Sequence, residues 1–251
     1  MNRSEINKFR YFLKDSVRQT IDFCDTEQNR GVAPPPIEKP YPGGSGLIDL
    51  VPVLELQNIS SADIMTLIKN RSSHRKFLPV ALTLMELSFL LWVTQGIRKI
   101  AGPTAAFRTV PSAGCRHSLE TYLSIFNVES LEQGIYRYLP VEHKLLPVSK
   151  PDMLSTKVAA AALGQEFVGK SAVTFIWSAI PYRMEWRYDM AAHKVIAIDA
   201  GHVCQNLYLA CEAIHAGTCA VAAYNQEMLD ELLGVDGNEE FTIYLAPVGK
   251  V

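Results

Sequence analysis

Residues 172–180 read Ala-Val-Thr-Phe-Ile-Trp-Ser-Ala-Ile, an apolar run of strand length that carries no charged side chain. Such a run, which includes β-branched and aromatic residues, predicts a central strand that is buried on both faces. Working outward, residues 118–126 predict a second strand, and residues 134–139 with 144–148 predict a pair of neighbouring strands. Residues 241–245 predict a closing strand. The strand pair in the middle of this series favours a mostly antiparallel sheet.

Helices are predicted between the strands at irregular intervals. They are an amphipathic helix over 5–23, a short helix capped by Ser60, a helix begun by the capping box of Thr83 and Glu86, a helix near 151–163, a long apolar helix from Asp199 to Gly217, and a helix from Asn225 to Gly234. Because helices and strands do not alternate regularly, this order favours an α+β fold over a doubly wound parallel sheet.

The first 59 residues differ from the rest of the chain. After the predicted N-terminal helix come Ala-Pro-Pro-Pro at 33–36 and Lys-Pro-Tyr-Pro-Gly-Gly at 39–44. Segments this rich in proline and glycine do not form regular helices or strands. We therefore expect residues 1–59 to form a helix and an extended arm, which lies across the main domain or across a partner subunit. Residues 60–251 are expected to form the main domain.

The composition narrows the class of protein. The 251 residues are 48% hydrophobic and 20% charged, with a net charge of −2, which is ordinary for a soluble globular protein and argues against a nucleic-acid partner. The five cysteines are an odd number without Cys-x-x-Cys spacing. The N-terminus has no apolar signal-peptide region, and no apolar run approaches the roughly 20 residues of a membrane span. We expect a cytoplasmic protein with no membrane partner.

Several common sites lack their motifs in this sequence. The chain has no Gly-x-x-x-x-Gly-Lys loop and no Gly-x-Gly-x-x-Gly loop, so a nucleoside triphosphatase or a Rossmann dinucleotide site has no support. It also has no Gly-x-Ser-x-Gly elbow for a hydrolase nucleophile. His193 and His202 are not in metal-ligand spacing, and no metal site is predicted.

Residues 111–120, Pro-Ser-Ala-Gly-Cys-Arg-His-Ser-Leu-Glu, form the first candidate binding segment. Pro111 fixes its own backbone φ angle, and the three small residues that follow leave the backbone bare enough for a flat ligand to lie against it. Arg116 and His117 add hydrogen-bond donors beside that backbone. The alternative is a surface turn with a solvated arginine and histidine.

Two further segments concentrate polar chemistry. Arg71-Ser72-Ser73-His74-Arg75 places two guanidiniums four residues apart with two hydroxyls between them, which suits a phosphate monoester. The alternative for this segment is a solvated basic turn. Residues 182–189, Tyr-Arg-Met-Glu-Trp-Arg-Tyr-Asp, are dense in aromatic and cationic side chains. They indicate either a substrate loop or a surface helix.

These segments occur in one order along the chain together with several others. The others are Leu90-Leu91-Trp92, Gln95-Gly96-Ile97, Arg108-Thr109-Val110, Asp199-Ala200-Gly201-His202, Gln205-Asn206-Leu207, Ala222-Ala223-Tyr224 and Pro247-Val248-Gly249-Lys250. Together, from roughly Ser60 to Lys250, they resemble the FMN-dependent nitroreductase family, most closely its branch of azoline (thiazole- and oxazole-forming) dehydrogenases. The resemblance implies a nitroreductase-like α+β fold in which helices flank a central, mostly antiparallel sheet. It also implies a homodimer with the flavin at the interface.

The resemblance implies four groups of flavin-binding residues. They are Arg71, Ser72, Ser73 and Arg75 at the ribityl phosphate; Pro111, Ser112, Ala113 and Gly114 against the isoalloxazine, usually that of the partner subunit; Ala222 and Ala223 at the N5 edge; and Gly249 and Lys250 near the phosphate. The family's activity implies an oxidoreductase that transfers a hydride from NAD(P)H through FMN to a small organic acceptor.

The sequence departs from the azoline branch at one informative place. That branch carries a Lys-Tyr pair where this chain has Arg187-Tyr188, and an arginine does not act as a general base near neutral pH. Arg187, Tyr188 and Arg116 are candidates for contact with the substrate, and no catalytic group is assigned with certainty. The alternatives are a flavin-dependent dehydrogenase of a heterocyclic or peptide-derived substrate with oxygen as acceptor, and a non-catalytic flavin-binding protein.

Overall fold

The structure is a computed structural model that describes residues 3–43, 46–102 and 104–251. Met1, Asn2 and Gly44 of the predicted arm lie outside the described residues, as do Ser45 and Pro103. The helices are α1 Arg3–Arg10, α2 Ile64–Asn70, α3 Leu84–Gln95, α4 Leu154–Ala161, α5 Glu166–Gly169, α6 Tyr182–Tyr188, α7 Ala192–Ala213 and α8 Gln226–Leu233. The strands are β1 Ile48–Asp49, β2 Ile97–Ile100, β3 Ala106–Arg108, β4 Leu119–Ile125, β5 Gly134–Leu139, β6 Lys144–Ser149, β7 Val173–Ala179, β8 Ala216–Thr218 and β9 Phe241–Lys250.

Seven strands form one sheet in the order β1-β6-β5-β4-β7-β9-β8, and each of these neighbouring pairs is antiparallel. β7 lies between β4 and β9, and every residue of this strand is buried. The predicted buried central strand and the α+β class are therefore confirmed. β2 and β3 form a separate two-stranded hairpin.

Helices cover both faces of the sheet. Because side chains alternate along a strand, Phe175 and Trp177 of β7 join the core under α3 and α7, whereas Ile176 joins a second core under α4 and α8. The predicted layering of helices around an antiparallel sheet is confirmed. In the part of the chain that the structure describes, none of the helices combines the length and the hydrophobicity needed to cross a bilayer.

The helix ends agree with the sequence where capping is local. The amide of Glu86 donates to the Thr83 hydroxyl (3.1 Å) and the amide of Thr83 donates to the Glu86 carboxylate (3.0 Å), which is the predicted capping box. The predicted short helix begins after Asp63 rather than Ser60, because the Asp63 carboxylate accepts hydrogen bonds from the amides of Met65 and Thr66.

Two predicted helices differ from those in the structure. The long core helix does not begin at Asp199 but at Ala192, and Asp199 lies buried within it because its carboxylate faces another loop instead of capping its own helix. The predicted N-terminal helix over 5–23 is shorter. α1 ends at Arg10, and 3₁₀ turns follow at Tyr11–Leu13 and Ser16–Thr20. None of these segments has a buried residue, so no packing supports a longer helix.

Part of the arm lies across the main body of its own chain, which is one of the two arrangements considered above. The Arg108 guanidinium donates to the Ile37 carbonyl oxygen (2.8 Å), and the Arg137 guanidinium donates to that of Lys39 (2.8 Å). The amide of Lys39 donates to the buried carboxylate of Glu120 (3.0 Å). Side chains of three strands, β3, β4 and β5, thus hold the extended segment 37–39 by hydrogen bonds. The division of the chain at residue 60 stays a prediction.

Candidate functional site

The predicted phosphate segment is joined to the loop that follows β8 by one tyrosine of α7. The Tyr208 hydroxyl lies 2.9 Å from the Ser73 hydroxyl oxygen and accepts a hydrogen bond from the amide of Ala220 (2.9 Å). The guanidinium carbon of Arg71 lies 5.3 Å from the centre of the Tyr208 ring. We call Arg71, Ser73, Tyr208 and Ala220 the Tyr208 cluster. Tyr208 was not predicted, because no local motif distinguishes it from other tyrosines on apolar helices.

Four other predicted flavin contacts have exposed side chains, two of them predicted at the phosphate and two at the N5 edge. Ser72, Arg75, Ala222 and Ala223 are exposed, as is Ser73. The Ser72 hydroxyl forms a hydrogen bond with Nε2 of the His74 ring (2.8 Å). Arg75 lines a cavity of about 480 Å³ together with Lys76 and Lys170, so this region is rich in positive charge.

The predicted C-terminal pair has local partners. Gly249 packs so closely on Phe77 that a β-carbon there would lie 3.0 Å from the phenyl ring. The ammonium of Lys250 forms an ion pair with Glu86 and donates to the Ile214 carbonyl oxygen (2.9 Å) at the end of α7. Lys250 is therefore engaged by these partners and is not brought into contact with Arg71 or Arg75.

The predicted flat-ligand loop is held by α7 as well. The buried Asp199 carboxyl of α7 interacts with the Ser112 side chain and the Ala113 amide, although its Oδ2 atom has no hydrogen-bond partner among the described residues. Burial raises the pKa of this carboxyl, and Ser112, Ala113 and the charge of His202 oppose the rise. The Ser112 hydroxyl also accepts from the amide of His117 (3.0 Å). We call Ser112, Ala113, Gly114 and Asp199 the Asp199 cluster. Pro111, just before it, is exposed.

Gly114 brings this loop against two of the predicted substrate residues. Its φ angle is 57°, which favours glycine. A β-carbon at Gly114 would lie 2.7 Å from Cδ and Nε of Arg187 and 2.8 Å from the Tyr188 hydroxyl. Segment 182–189 is mainly the helix α6, so the helical alternative is correct for its backbone. Arg187 and Tyr188, the last two residues of α6, nevertheless lie against Gly114.

Arg116 and His117 are buried, so the alternative of a surface turn with two solvated side chains is wrong. Arg116 donates to the Thr104 carbonyl oxygen (2.8 Å), and its guanidinium carbon lies 5.1 Å from the centre of the Trp186 ring. Burial, with the positive charge of Arg108, lowers the pKa of His117 to about 3. His117 is therefore neutral near pH 7 and carries no proton to donate as an imidazolium.

The two clusters lie on opposite sides of one helix. Asp199 and Tyr208 are nine residues apart within α7. At a rise of 1.5 Å and a turn of 100° per residue, that spacing corresponds to about 14 Å along the axis and about 180° around it. A single chain therefore carries both the Tyr208 cluster and the Asp199 cluster, but the two lie on different faces of α7.

Comparisons with known proteins agree with this fold. A family model described as the nitroreductase family matches residues 68–250. The chain is 30% identical over 197 residues to the nitroreductase-family protein MJ1384 of Methanocaldococcus jannaschii, covering 78% of this chain and 96% of that protein. The crystal structure of a nitroreductase-family protein from Ralstonia eutropha JMP134 has a TM-score of 0.69 at 26% identity, covering 85% of this chain and 94% of that chain.

A further solved structure shows the same fold in a different setting. The E. coli microcin synthetase McbBCD complex with truncated pro-MccB17 bound contains a chain with a TM-score of 0.61 at 19% identity, covering 81% of this chain and 84% of that chain. At this identity the similarity concerns the fold alone. The residues matched by the family model fall inside the span, Ser60 to Lys250, over which the sequence shows its resemblance.

Proposed function

This chain belongs to the nitroreductase family, and from that premise we propose that it is an FMN-dependent oxidoreductase that transfers a hydride from NAD(P)H to a small organic acceptor. One observation carries the proposal. Segments 71–75 and 111–114, which the resemblance assigns to the two ends of FMN, are anchored to a single helix by Tyr208 and Asp199.

The residues present fit this cofactor. Arg71 and Arg75 have no carboxylate within 4 Å in residues 3–43, 46–102 and 104–251, so both guanidiniums are free to bind a phosphate dianion with the Ser73 hydroxyl. Ala222 and Ala223 are exposed and carry little bulk, which suits a flat ring system. Gly114 is exposed as well, and the space beside its α-carbon is taken by Arg187 and Tyr188, which would adjoin the ring. When bound, FMN supplies the capacity to accept and return a hydride.

The protein's own part is binding and orientation. Ser112 and Ala113 interact with the Asp199 carboxyl, which places the wall they form beside α7. Tyr188 presents a hydroxyl beside Gly114 and is the candidate proton donor to an acceptor. Gly249 and Lys250 remain proposed neighbours of the phosphate. A role for Lys250 requires that its ammonium exchange the Glu86 carboxylate for the phosphate.

We further propose that the active form is a homodimer. Because the clusters lie on opposite faces of α7, the Tyr208 cluster of one subunit and the Asp199 cluster of its partner are the pair that can enclose one flavin. Small or apolar residues are exposed on α7 close to Asp199, at Ala197, Ile198 and Gly201, and permit close approach of a second copy. We also propose the cytoplasm as the location. All five cysteines are free in the structure, and the proposed electron donor is NAD(P)H.

A second candidate function is a flavin-dependent dehydrogenase of a heterocyclic or peptide-derived substrate, with oxygen as acceptor. The fold shared with a chain of the microcin synthetase complex favours it. Arg187 in place of the lysine of the azoline branch argues against it, because a guanidinium does not take up a proton near neutral pH.

The proposal is tested with purified protein and added FMN under anaerobic conditions. We expect NADH or NADPH to bleach the absorption of the bound flavin; a flavin that stays oxidised with both donors favours the dehydrogenase. Arg75→Ala should release FMN, whereas the matched change Lys76→Ala, which removes a neighbouring exposed cation, should not. Protein that takes up no added FMN contradicts every flavin-based function.

A further inference from the structure

Two arginines, Arg116 and Arg187, lie beside the loop at 112–114, and neither has a carboxylate within 4 Å among the described residues. Arg116 is 7% exposed, and its Nε atom has no hydrogen-bond partner. Its guanidinium stacks on Trp186, the residue that precedes Arg187. The Arg187 side chain lies against Gly114, two residues before Arg116, and its guanidinium carbon is 5.5 Å from the centre of the Tyr188 ring. Both cations therefore lie between the loop at 112–114 and the end of α6.

The charges around this pair are of one sign. Burial lowers the pKa of Arg116, and the positive charge of Arg187 lowers it further. The groups that oppose this effect are Cys115 and Tyr188, and neither is a carboxylate. No acidic group lies within 4 Å of either guanidinium in the part of the chain that the structure describes. The groups that act on Asp199 are Ser112, Ala113 and His202, and neither arginine is among them.

Of the other buried arginines in the described residues, Arg183 alone has a carboxylate within 4 Å; Arg108 and Arg137 lack one, and their Nε atoms, like that of Arg116, have no hydrogen-bond partner. Arg183 forms an ion pair with Glu120 (2.6 Å). Although burial alone would raise the pKa of Glu120, Arg183, Arg137 and Arg108 hold it below its ordinary value, so this one carboxylate compensates three arginines. Arg116 has no such compensation. A buried guanidinium with unmet donors is costly unless an anion pairs with it.

We propose that Arg116 and Arg187 form an anion subsite that binds a carboxylate or phosphate group of the reacting molecules. This inference rests on the proposed function, because it takes the loop at 112–114 as one wall of the substrate slot. Guanidiniums bind such groups through paired, charge-assisted hydrogen bonds. Trp186 and Tyr188 add aromatic surface beside the two charges, so the favoured ligand is a flat acidic molecule.

The test compares two probes of the same shape, 4-nitrobenzoate and its uncharged methyl ester, titrated calorimetrically into FMN-loaded protein. We expect the wild type to bind the carboxylate at least tenfold more tightly than the ester. Arg187→Gln should abolish this preference, and Arg187→Lys should retain most of it. Lys157→Gln, which removes an exposed cation from α4, is the matched control and should leave the preference unchanged.

A second arm distinguishes the source of the anion. If the subsite holds the extra phosphate of the dinucleotide, Arg187→Gln raises KM for NADPH about tenfold more than KM for NADH, which supports the subsite and assigns it to the electron donor. Equal wild-type affinity for acid and ester, together with equal use of NADH and NADPH, overturns it. So does an Arg187→Gln variant that shifts only the flavin reduction potential, since the guanidinium then serves the flavin.

The titration also separates the two proposals. It reports binding and not turnover, so it can be repeated on protein without flavin. A preference for the carboxylate that is lost in Arg187→Gln supports the anion subsite even if nicotinamide nucleotides fail to reduce the flavin.

Discussion

The hydroxyl of Tyr208 lies 2.9 Å from the hydroxyl oxygen of Ser73. These residues are 135 positions apart in the chain, and their contact attaches the predicted phosphate segment to α7. The same tyrosine hydroxyl accepts the amide proton of Ala220, so it also fixes the start of the loop that carries Ala222 and Ala223.

Tyr208→Phe is expected to weaken FMN binding by roughly tenfold while retaining the ring under Arg71. The hydroxyl's two hydrogen bonds are worth about 1 kcal/mol each, and their loss frees both segments to move. Equilibrium titration with FMN measures the change. Tyr136→Phe is the matched control, because its hydroxyl donates to the Glu132 carbonyl oxygen (2.9 Å) and its strand, β5, carries none of the proposed flavin contacts. Wild-type FMN affinity in Tyr208→Phe contradicts the assignment of this cluster to the phosphate.

Gly114→Ala is expected to destabilise the protein more than Gly164→Ala. Both glycines have positive φ angles, 57° and 77°, so both changes carry the backbone cost of about 1 kcal/mol. A β-carbon at position 114 would collide with atoms of Arg187 and Tyr188. A β-carbon at position 164 would have no atom within 4 Å. Urea unfolding gives the two free energies.

The contact with Arg187 predicts a coupling that can be measured. In an Arg187→Ala background part of the steric cost of Gly114→Ala should disappear, because two of the three nearest atoms belong to the arginine, and the Tyr188 hydroxyl accounts for the part that remains. Additive effects of the two changes would show that the loop and α6 are not in contact.

His117 is expected to make stability fall as the pH is lowered. Its folded-state pKa is about 3, below the value of 6.5 for the unfolded chain, so the unfolded state binds the extra proton in between. The contribution is fully present above about pH 6.5 and is lost as the pH falls from there towards 3. Between pH 7 and pH 5 the free energy of unfolding should drop by about 2 kcal/mol more in the wild type than in His117→Gln. Parallel pH dependences in urea unfolding contradict this account.

Lys39→Met is expected to cost about 2 kcal/mol of stability, because it leaves the buried carboxylate of Glu240 without its cation. Glu240→Gln in the same chain should restore part of the loss. Lys144→Met is the matched control: its partner Asp49 is largely exposed, and surface pairs contribute about 0–1 kcal/mol. Equal losses in the two lysine variants would mean that the arm is not held by this ion pair.

The sequence by itself determined the features that depend on neighbouring residues. The apolar run at 172–180, the strand pair at 134–148 and the capping box of Thr83 and Glu86 are all encoded within a few residues, and the structure confirms them. The order of the quoted segments from Arg71 to Lys250 was also sufficient to indicate the family. Such signals need no knowledge of what packs against them.

Only the tertiary structure decided which distant groups meet. Asp199 looked like a helix cap, but its carboxyl is used by Ser112 and Ala113. Lys39 reaches Glu240 across 201 positions, and nothing near either residue indicates the pair. The sequence left Arg116 either as a donor of a binding loop or as a solvated side chain, and the structure buries it. A buried polar group takes whichever partner the packing brings within reach, so its role follows from long-range contacts that local patterns do not encode.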